Sequence, residues 1–198
     1  MSPTAHSRST STGRIALDRD AWVRFATSVL AEEGLEGLRV ETLARKLKVT
    51  KGSFYWHFRD RQALLNAVAT QWRDERIGEV KAQAAVPQEK ALEQIRQVIE
   101  VYSTQPNVTR MKLELAVRDW ARRDPLVASA VEAVDEARLA NASRLFELAG
   151  FAPEAAHARA LLLFTHVFGL SMMMFEGPIA ADIAANQARL AHLITDGA

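Results

Sequence analysis

The 198-residue sequence contains no cysteine. That excludes disulfide frameworks, thiol nucleophiles, thiolate zinc sites and cysteine-ligated iron–sulfur clusters, and it fits a reducing cytoplasm. Glycine (9) and proline (6) are sparse, which disfavours an all-β chain with many tight turns. Long apolar runs are also missing. The longest uncharged stretch, 160–175, holds Thr165, His166, Gly169 and Ser171. It falls short of the roughly 20 apolar residues of a bilayer span and reads as a buried helix. The N-terminus lacks the apolar segment of a secretion signal, so a soluble, cytoplasmic protein with no membrane partner is expected.

A net charge of only +1 conceals an asymmetry. Residues 1–61 carry 11 Lys/Arg against 7 Asp/Glu, whereas residues 62–198 carry 14 against 17. Within 39–61 seven bases (Arg39, Arg45, Lys46, Lys48, Lys51, Arg59, Arg61) face two acids (Glu41, Asp60). A basic first third on a mildly acidic body suggests a head that binds polyanions.

Residues 1–17 are rich in Ser and Thr, carry Arg8 and Arg14, and read as a flexible basic arm. Asp18 has N-cap chemistry, and Ala21, Trp22, Phe25, Val29 and Leu30 follow at helical spacing up to Gly34. A short second helix is expected over 40–47. Thr50 can cap a third, running through Phe54–Phe58, and Asp60 a fourth, over about 61–83, with Leu64, Val68 and Trp72 on one face. Prolines 87, 106, 125, 153 and 178 separate periodic segments near 88–105, 107–123, 125–149, 154–176 and 180–195. The fold class is therefore all-α, with about nine helices. A helix-turn-helix domain over 18–65 precedes a helical body over 66–198.

In the head, Leu43, Ala44 and Leu47 face inward, Val49 plugs the turn, and Phe54 and Phe58, four apart, anchor the next helix from beneath. The opposite face offers Thr50, Lys51, Ser53, Tyr55 and His57. Gly52 removes a side chain where a backbone could approach a phosphate. The run Gly34-Leu-Glu-Gly-Leu38, then Leu43-Ala44, Val49-Thr-Lys-Gly-Ser-Phe-Tyr-Trp-His-Phe58 and Leu64-Leu65 closely resembles the DNA-binding domain of TetR/AcrR-type transcriptional regulators. The resemblance covers about residues 18–68. It implies that the third helix enters the major groove, with Thr50, Lys51, Gly52, Ser53, Tyr55, Trp56 and His57 at or near the DNA and Arg61 on a phosphate. Two positions depart from the pattern. Arg39 stands where a capping threonine is common, offering a phosphate ligand instead, and Lys48 stands where a turn glycine is common.

One such head reads only a few base pairs, so a homodimer on a palindromic double-stranded operator is expected. Ala158, Leu162, Gly169, Met173, Leu190 and Leu193 are the candidate dimer face; the resemblance implies that the last two helices supply it. A small, largely apolar effector is expected within the body, with Trp72, Tyr102, Met111, Leu115, Trp120, Phe146, Phe164, Phe168 and Met172 as candidate lining and Asn141 and His166 as polar contacts. Release of a repressor from its operator by that effector is the expected mechanism. The alternative is a ligand-independent helix-turn-helix protein with a filled body. His157, His166 and His192 lack metal-type spacing, and no Gly-rich phosphate loop occurs. No enzymatic activity, cofactor or metal is expected.

Overall fold

A computed structural model of the chain describes residues 17–103, 108–172 and 178–196. Side chains at 101–103, 108, 109, 171, 178–180, 183, 184 and 187 fall outside that description, as do Arg8 and Arg14 of the expected arm. Among the described residues there are nine α-helices and no strand. They are α1 (Arg19–Glu33), α2 (Val40–Lys46), α3 (Lys51–Tyr55), α4 (Arg61–Ala84), α5 (Ala91–Ser103), α6 (Val108–Ala121), α7 (Pro125–Leu148), α8 (Pro153–Met172) and α9 (Pro178–Thr195). No described helix is long and apolar enough to cross a membrane.

Helix starts follow from side-chain caps. Asp18 accepts from the Ala21 amide at 2.6 Å, Thr50 from Ser53 at 3.4 Å, Asp60 from Ala63 at 2.8 Å and Asp124 from Leu126 at 3.0 Å. Each such bond satisfies an otherwise orphaned donor, worth about 1 kcal/mol. Pro125, Pro153 and Pro178 open their helices, where a missing amide hydrogen costs nothing. Pro106 lies outside the described residues.

Two helices depart from expectation. α3 was expected to run through Phe58 but has only five residues. Its backbone closes in a tight turn (His57 N–H to Phe54 C=O, 2.9 Å) because Asp60 must become extended to cap α4. α8 is not buried all round. Ala156, Ala160, Leu163 and Val167 are buried, while Leu161, Leu162 and Met172 are exposed.

The apolar core falls into two clusters. The first joins Trp22, Leu30, Leu43, Phe54, Leu64, Val68 and Trp72 of the head and α4 to Val117 and Trp120 of α6 and to Val127 and Val134 of α7. The second packs Ile95 and Ile99 of α5, Leu145 and Phe146 of α7, Leu163 and Val167 of α8, and Ile194 of α9. The head's core thus continues into the body. Within the head, Phe54 meets Trp22 edge-on at 5.5 Å and stacks on Phe58 at 5.4 Å. Gly37 has no substitute here. A β-carbon would come within 2.8 Å of Val29 Cγ1 and 2.9 Å of Glu33 Cβ, so the loop after α1 lies flush on that helix.

The helix ends of α2 and α7 have the same hydrogen-bond pattern. Val49 N–H reaches Ala44 C=O at 3.0 Å and Lys48 N–H reaches Arg45 C=O at 3.1 Å; Phe151 and Gly150 repeat this on Phe146 and Glu147. This is the Schellman closure, which needs a left-handed residue. α7 uses Gly150 (φ +101°), but α2 uses Lys48 (φ +56°). Lysine there costs roughly 1–2 kcal/mol, against roughly 0.5–1 kcal/mol of extra chain entropy for glycine. Lys48→Gly is therefore expected to stabilise the protein by about 0.5–1 kcal/mol, read as a rise of ~2–3 °C in the thermal midpoint.

Candidate functional site

The helix-turn-helix presents one continuous exposed face. Thr50, Lys51 and Gly52 at the start of α3 are exposed, Ser53 is half-buried, and Tyr55 is exposed. Trp56 is 87% exposed, an unusual state for the largest apolar side chain. Trp56 and the half-buried His57 sit in the turn beyond α3 rather than on it. Of the expected DNA-binding residues, Thr50 to Ser53 and Tyr55 to His57 thus lie in one short segment, while Arg39 precedes α2 and Arg61 opens α4.

Arg61, expected at a phosphate, is half-buried and turned inward. Its Nε donates to Leu38 C=O at 2.7 Å and its Nη2 to Leu35 C=O at 3.2 Å. These bonds tie the first residue of α4 to the loop before α2. They also offset the poor match between a cation and a helix N-terminus.

Most cations of this face already have acidic partners. Lys51 pairs with Glu41 at 2.7 Å, Arg39 with Glu36 at 2.6 Å and Arg59 with Asp60 at 2.9 Å, and Lys46 pairs with Glu33. The hydrogen bond from Lys51 holds the Glu41 carboxyl below its usual range, and Glu41 in turn raises Lys51. The Arg39 hydrogen bond lowers Glu36 in the same way. All are surface pairs, weak and exchangeable in water. Arg45 and Lys48 make no ion pair among the described residues.

The body holds a second polar feature. Glu114 of α6 is 3% exposed and receives two bonds from Arg138 of α7, at 2.7 and 3.1 Å. Arg118 adds a third at 3.1 Å, grips Asp135 at 2.5 and 2.8 Å, and lies 4.2 Å above the Phe168 ring. Burial works to raise the Glu114 carboxyl, but Arg138 and Arg118 together outweigh it and leave it below its usual range. Beside this cluster lies a cavity between α4, α5, α7 and α8. It measures about 30 Å³, the room one or two waters need, within a cleft of about 480 Å³ of atom-free space counting its open mouth.

The wall of this cavity corrects the sequence-based expectation. Of the nine candidate lining residues, Phe164 alone is among its described walls. Trp72 and Trp120 belong to the core shared with the head, and Phe146 packs against Phe151. Met111 packs at the margin of the second core, Leu115 is half-buried on α6, and Phe168 lies beneath Arg118. Met172 is 72% exposed, and the Tyr102 side chain lies outside the described residues. Nor is the wall apolar throughout: Arg76, Glu79, Gln83, Arg138 and Asn141 join Val80, Ile95, Val98, Ala142, Leu145, Leu163 and Phe164. Of these, only Asn141 and Phe164 were singled out in the sequence. The missed signal was an arginine inside an apolar stripe, Trp72-Arg76-Val80 on α4 and Val134-Arg138-Ala142 on α7.

The candidate dimer residues form an exposed face. Ala158, Leu162, Gly169 and Leu193 are exposed, Leu190 is half-buried, and Met173 lies outside the described residues.

Residues 24–68 match the family described as bacterial regulatory proteins, tetR family. This tetR-family match falls on the helix-turn-helix and the start of α4. A stretch of 53 residues, 27% of this chain, is 43% identical to the tetracycline repressor protein class C of Escherichia coli. The TetR-family match spans about a quarter (24%) of that repressor's own length. Beyond the TetR-family domain the likeness is one of fold. A transcriptional regulator from Saccharomonospora viridis in complex with choline superposes over 90% of this chain and 96% of its own, with TM-score 0.73 and 16% identity. The multidrug binding protein EbrR complexed with malachite green does so over 89% and 95%, with TM-score 0.63 and 19% identity.

Two outcomes follow for stability. Arg61→Ala removes two charge-assisted bonds and is expected to cost about 2–3 kcal/mol in urea unfolding. Glu114→Gln takes from the buried Arg138 the carboxylate that receives two of its bonds, leaving the half-exposed Asp135 at 3.7 Å as a weaker counter-charge, and is expected to cost about 3 kcal/mol at neutral pH. Because the folded-state value of Glu114 is depressed, its contribution is complete above the usual glutamate range and is lost as pH falls through the folded value. The gap between wild type and Glu114→Gln should therefore narrow in acid, in urea unfolding repeated across pH.

Proposed function

We propose that the protein is a DNA-binding transcriptional regulator that acts as a homodimer. The observation that carries this reading is the exposed face Thr50-Lys51-Gly52-Ser53-Tyr55-Trp56-His57 on a TetR-family helix-turn-helix. In the major groove, Lys51 exchanges Glu41 for a phosphate, while Ser53, Tyr55 and His57 offer donors to phosphates or base edges. Arg39 makes the same exchange with Glu36. Trp56 contributes a flat apolar surface to sugar or base. Arg61 acts beneath the interface, holding the loop that carries Arg39.

Two-fold pairing uses the exposed apolar face of α8 and α9. Leu161, Leu162, Met172 and Leu193 are the large apolar side chains left open there. Side chains of this kind on neighbouring helices favour association.

In this reading the regulator is a repressor released from its operator by a small molecule bound in the body. α4 links the two parts: Leu64 to Trp72 sit in the head's core, and Arg76 to Gln83 reach the cavity. α6 provides a second link. Glu114 meets Arg138 at the cavity, while Lys112 bonds Glu32 of α1 at 3.1 Å. An effector preferring a body in which these helices have shifted would weaken operator binding by its difference in affinity for the two states. The choline and malachite green complexes of the two structural neighbours support a ligand-holding body. The small size of the cavity favours the ligand-independent alternative.

Selection from a random DNA pool tests the reading. A palindromic consensus is expected, bound by two protomers in sedimentation. Lys51→Ala should weaken binding to all sequences and reduce the salt slope by about one, whereas Arg61→Ala should leave that slope unchanged. Recovery of no consensus at physiological salt overturns DNA recognition.

A further inference from the structure

We infer that the body cavity takes a monocarboxylate, its anionic end against Arg76 and its hydrocarbon part along Ile95, Val98, Leu145 and Phe164. The inference deepens the effector reading above and rests on it.

Charge makes the argument. Three ionisable side chains are buried among the described residues: Arg76 (8% exposed), Arg138 (6%) and Glu114 (3%). Two are cations and one is an anion. Both oxygens of Glu114 are taken by Arg138, and one also by Arg118. Glu114 makes no hydrogen bond to Arg76 among the described contacts and favours its charge only at a distance. The acids that reach Arg76 come from partly exposed positions on its own helix, Glu79 at 3.1 Å and Glu75 at 3.8 Å. Glu79 is shared with Arg110 of α6, and Glu75 also bonds Gln71.

The Arg76 Nε–H is buried and has no hydrogen-bond partner among the described residues. Asn141 Oδ1, on the opposite wall of the same cavity, is in the same condition. Turning that amide over would present its Nδ2–H₂ to an anion. Burial, and then repulsion from Arg110, push Arg76 below the usual arginine value, so the site already works against its own charge. A buried, incompletely compensated guanidinium is costly, and a carboxylate is the group that relieves it bidentately.

The rest of the wall sets the remainder of the ligand. Ile95, Val98, Leu145, Leu163 and Phe164 offer no donors, and a cavity of about 30 Å³ limits the hydrocarbon part to a very few carbons. One charged end and one short hydrocarbon body match that lining. A cation would face Arg76 and Arg138 directly and is disfavoured.

The test uses the full-length protein and three pools at equal concentration: the shortest aliphatic monocarboxylates, from acetate to butyrate, the corresponding primary amides, and the corresponding primary amines. The carboxylate pool alone should raise the thermal midpoint. For its best single member, Arg76→Gln should weaken calorimetric affinity by about tenfold or more, with helical content unchanged, while Arg76→Lys retains part of the affinity. If Arg76→Gln does not fold, Asn141→Leu serves, and it too should weaken carboxylate binding. An equal or larger shift with amides or amines, no shift with carboxylates, or undiminished affinity in the variant that folds overturns the inference. The regulatory reading fails separately. Carboxylate binding that leaves operator affinity unchanged sinks effector control but not the site, and release of operator by amides or amines sinks the carboxylate but not effector control.

Discussion

The Glu114–Arg138 pair is the contact around which the helices are ordered. On α4, α6 and α7 alike, a buried ionisable residue lies within about one turn of a residue of the head-side core. These are Arg76 (after Trp72), Glu114 (before Val117) and Arg138 (after Val134). The protein therefore has a charged layer beside the head-side core. Apolar contacts tolerate sliding, because one methyl group substitutes for another. A two-pronged guanidinium–carboxylate contact does not, since a shift of one residue on either helix strands a buried charge. The pair thus fixes how α6 lies on α7. Because α6 also packs on α1, it fixes where the head sits. The layer is weak evidence for extra stability, since desolvation offsets much of the attraction, and stronger evidence for a defined register.

What could be read from the sequence and what could not divide along a physical line. Helix boundaries depend on local chemistry, and local chemistry is visible. Asp18, Asp60 and Asp124 cap by their own side chains, and Pro125, Pro153 and Pro178 stop whatever precedes them. The helix-turn-helix was legible for the same reason, since Phe54 and Phe58 lie four residues apart and meet the same core. The cavity was not legible, because its wall is drawn from four helices whose mutual rotation no local signal encodes. Aromatics were a poor guide to it. Large rings do most of the core filling, so Trp72, Trp120 and Phe146 were spent where two elements had to be joined. The informative anomaly was the reverse, a charged side chain at a position the helical period assigns to the interior.

Arg61 shows the same limit at shorter range. Its number and charge place it at the edge of a basic head, and charge alone points it at a phosphate. Its direction is set instead by two carbonyls of the loop after Gly34, that of Leu38 and that of Leu35, which also accepts from the Leu38 amide at 3.2 Å. Backbone acceptors near a long cation compete with any external anion, and here they are already in place. Arg59, two residues earlier and 86% exposed at its side chain, pairs among the described residues with its neighbour Asp60 and is the freer cation.

If the head binds DNA as proposed, its pre-paired surface bears on specificity rather than on strength. A lysine or arginine already held by a glutamate gains less from any one phosphate than a free one, because the pair must first be broken. The benefit to a polyanion is then uniform across sequences and reduced in size. Discrimination falls to groups with no internal partner to surrender, such as the hydroxyl of Tyr55. By the same logic, neutralising Glu41 would strengthen binding to every duplex and narrow the ratio between a chosen site and the rest. The acids woven among Arg39, Lys46, Lys51 and Arg59 thus hold back non-specific attraction in a head whose charge would otherwise bind any nucleic acid.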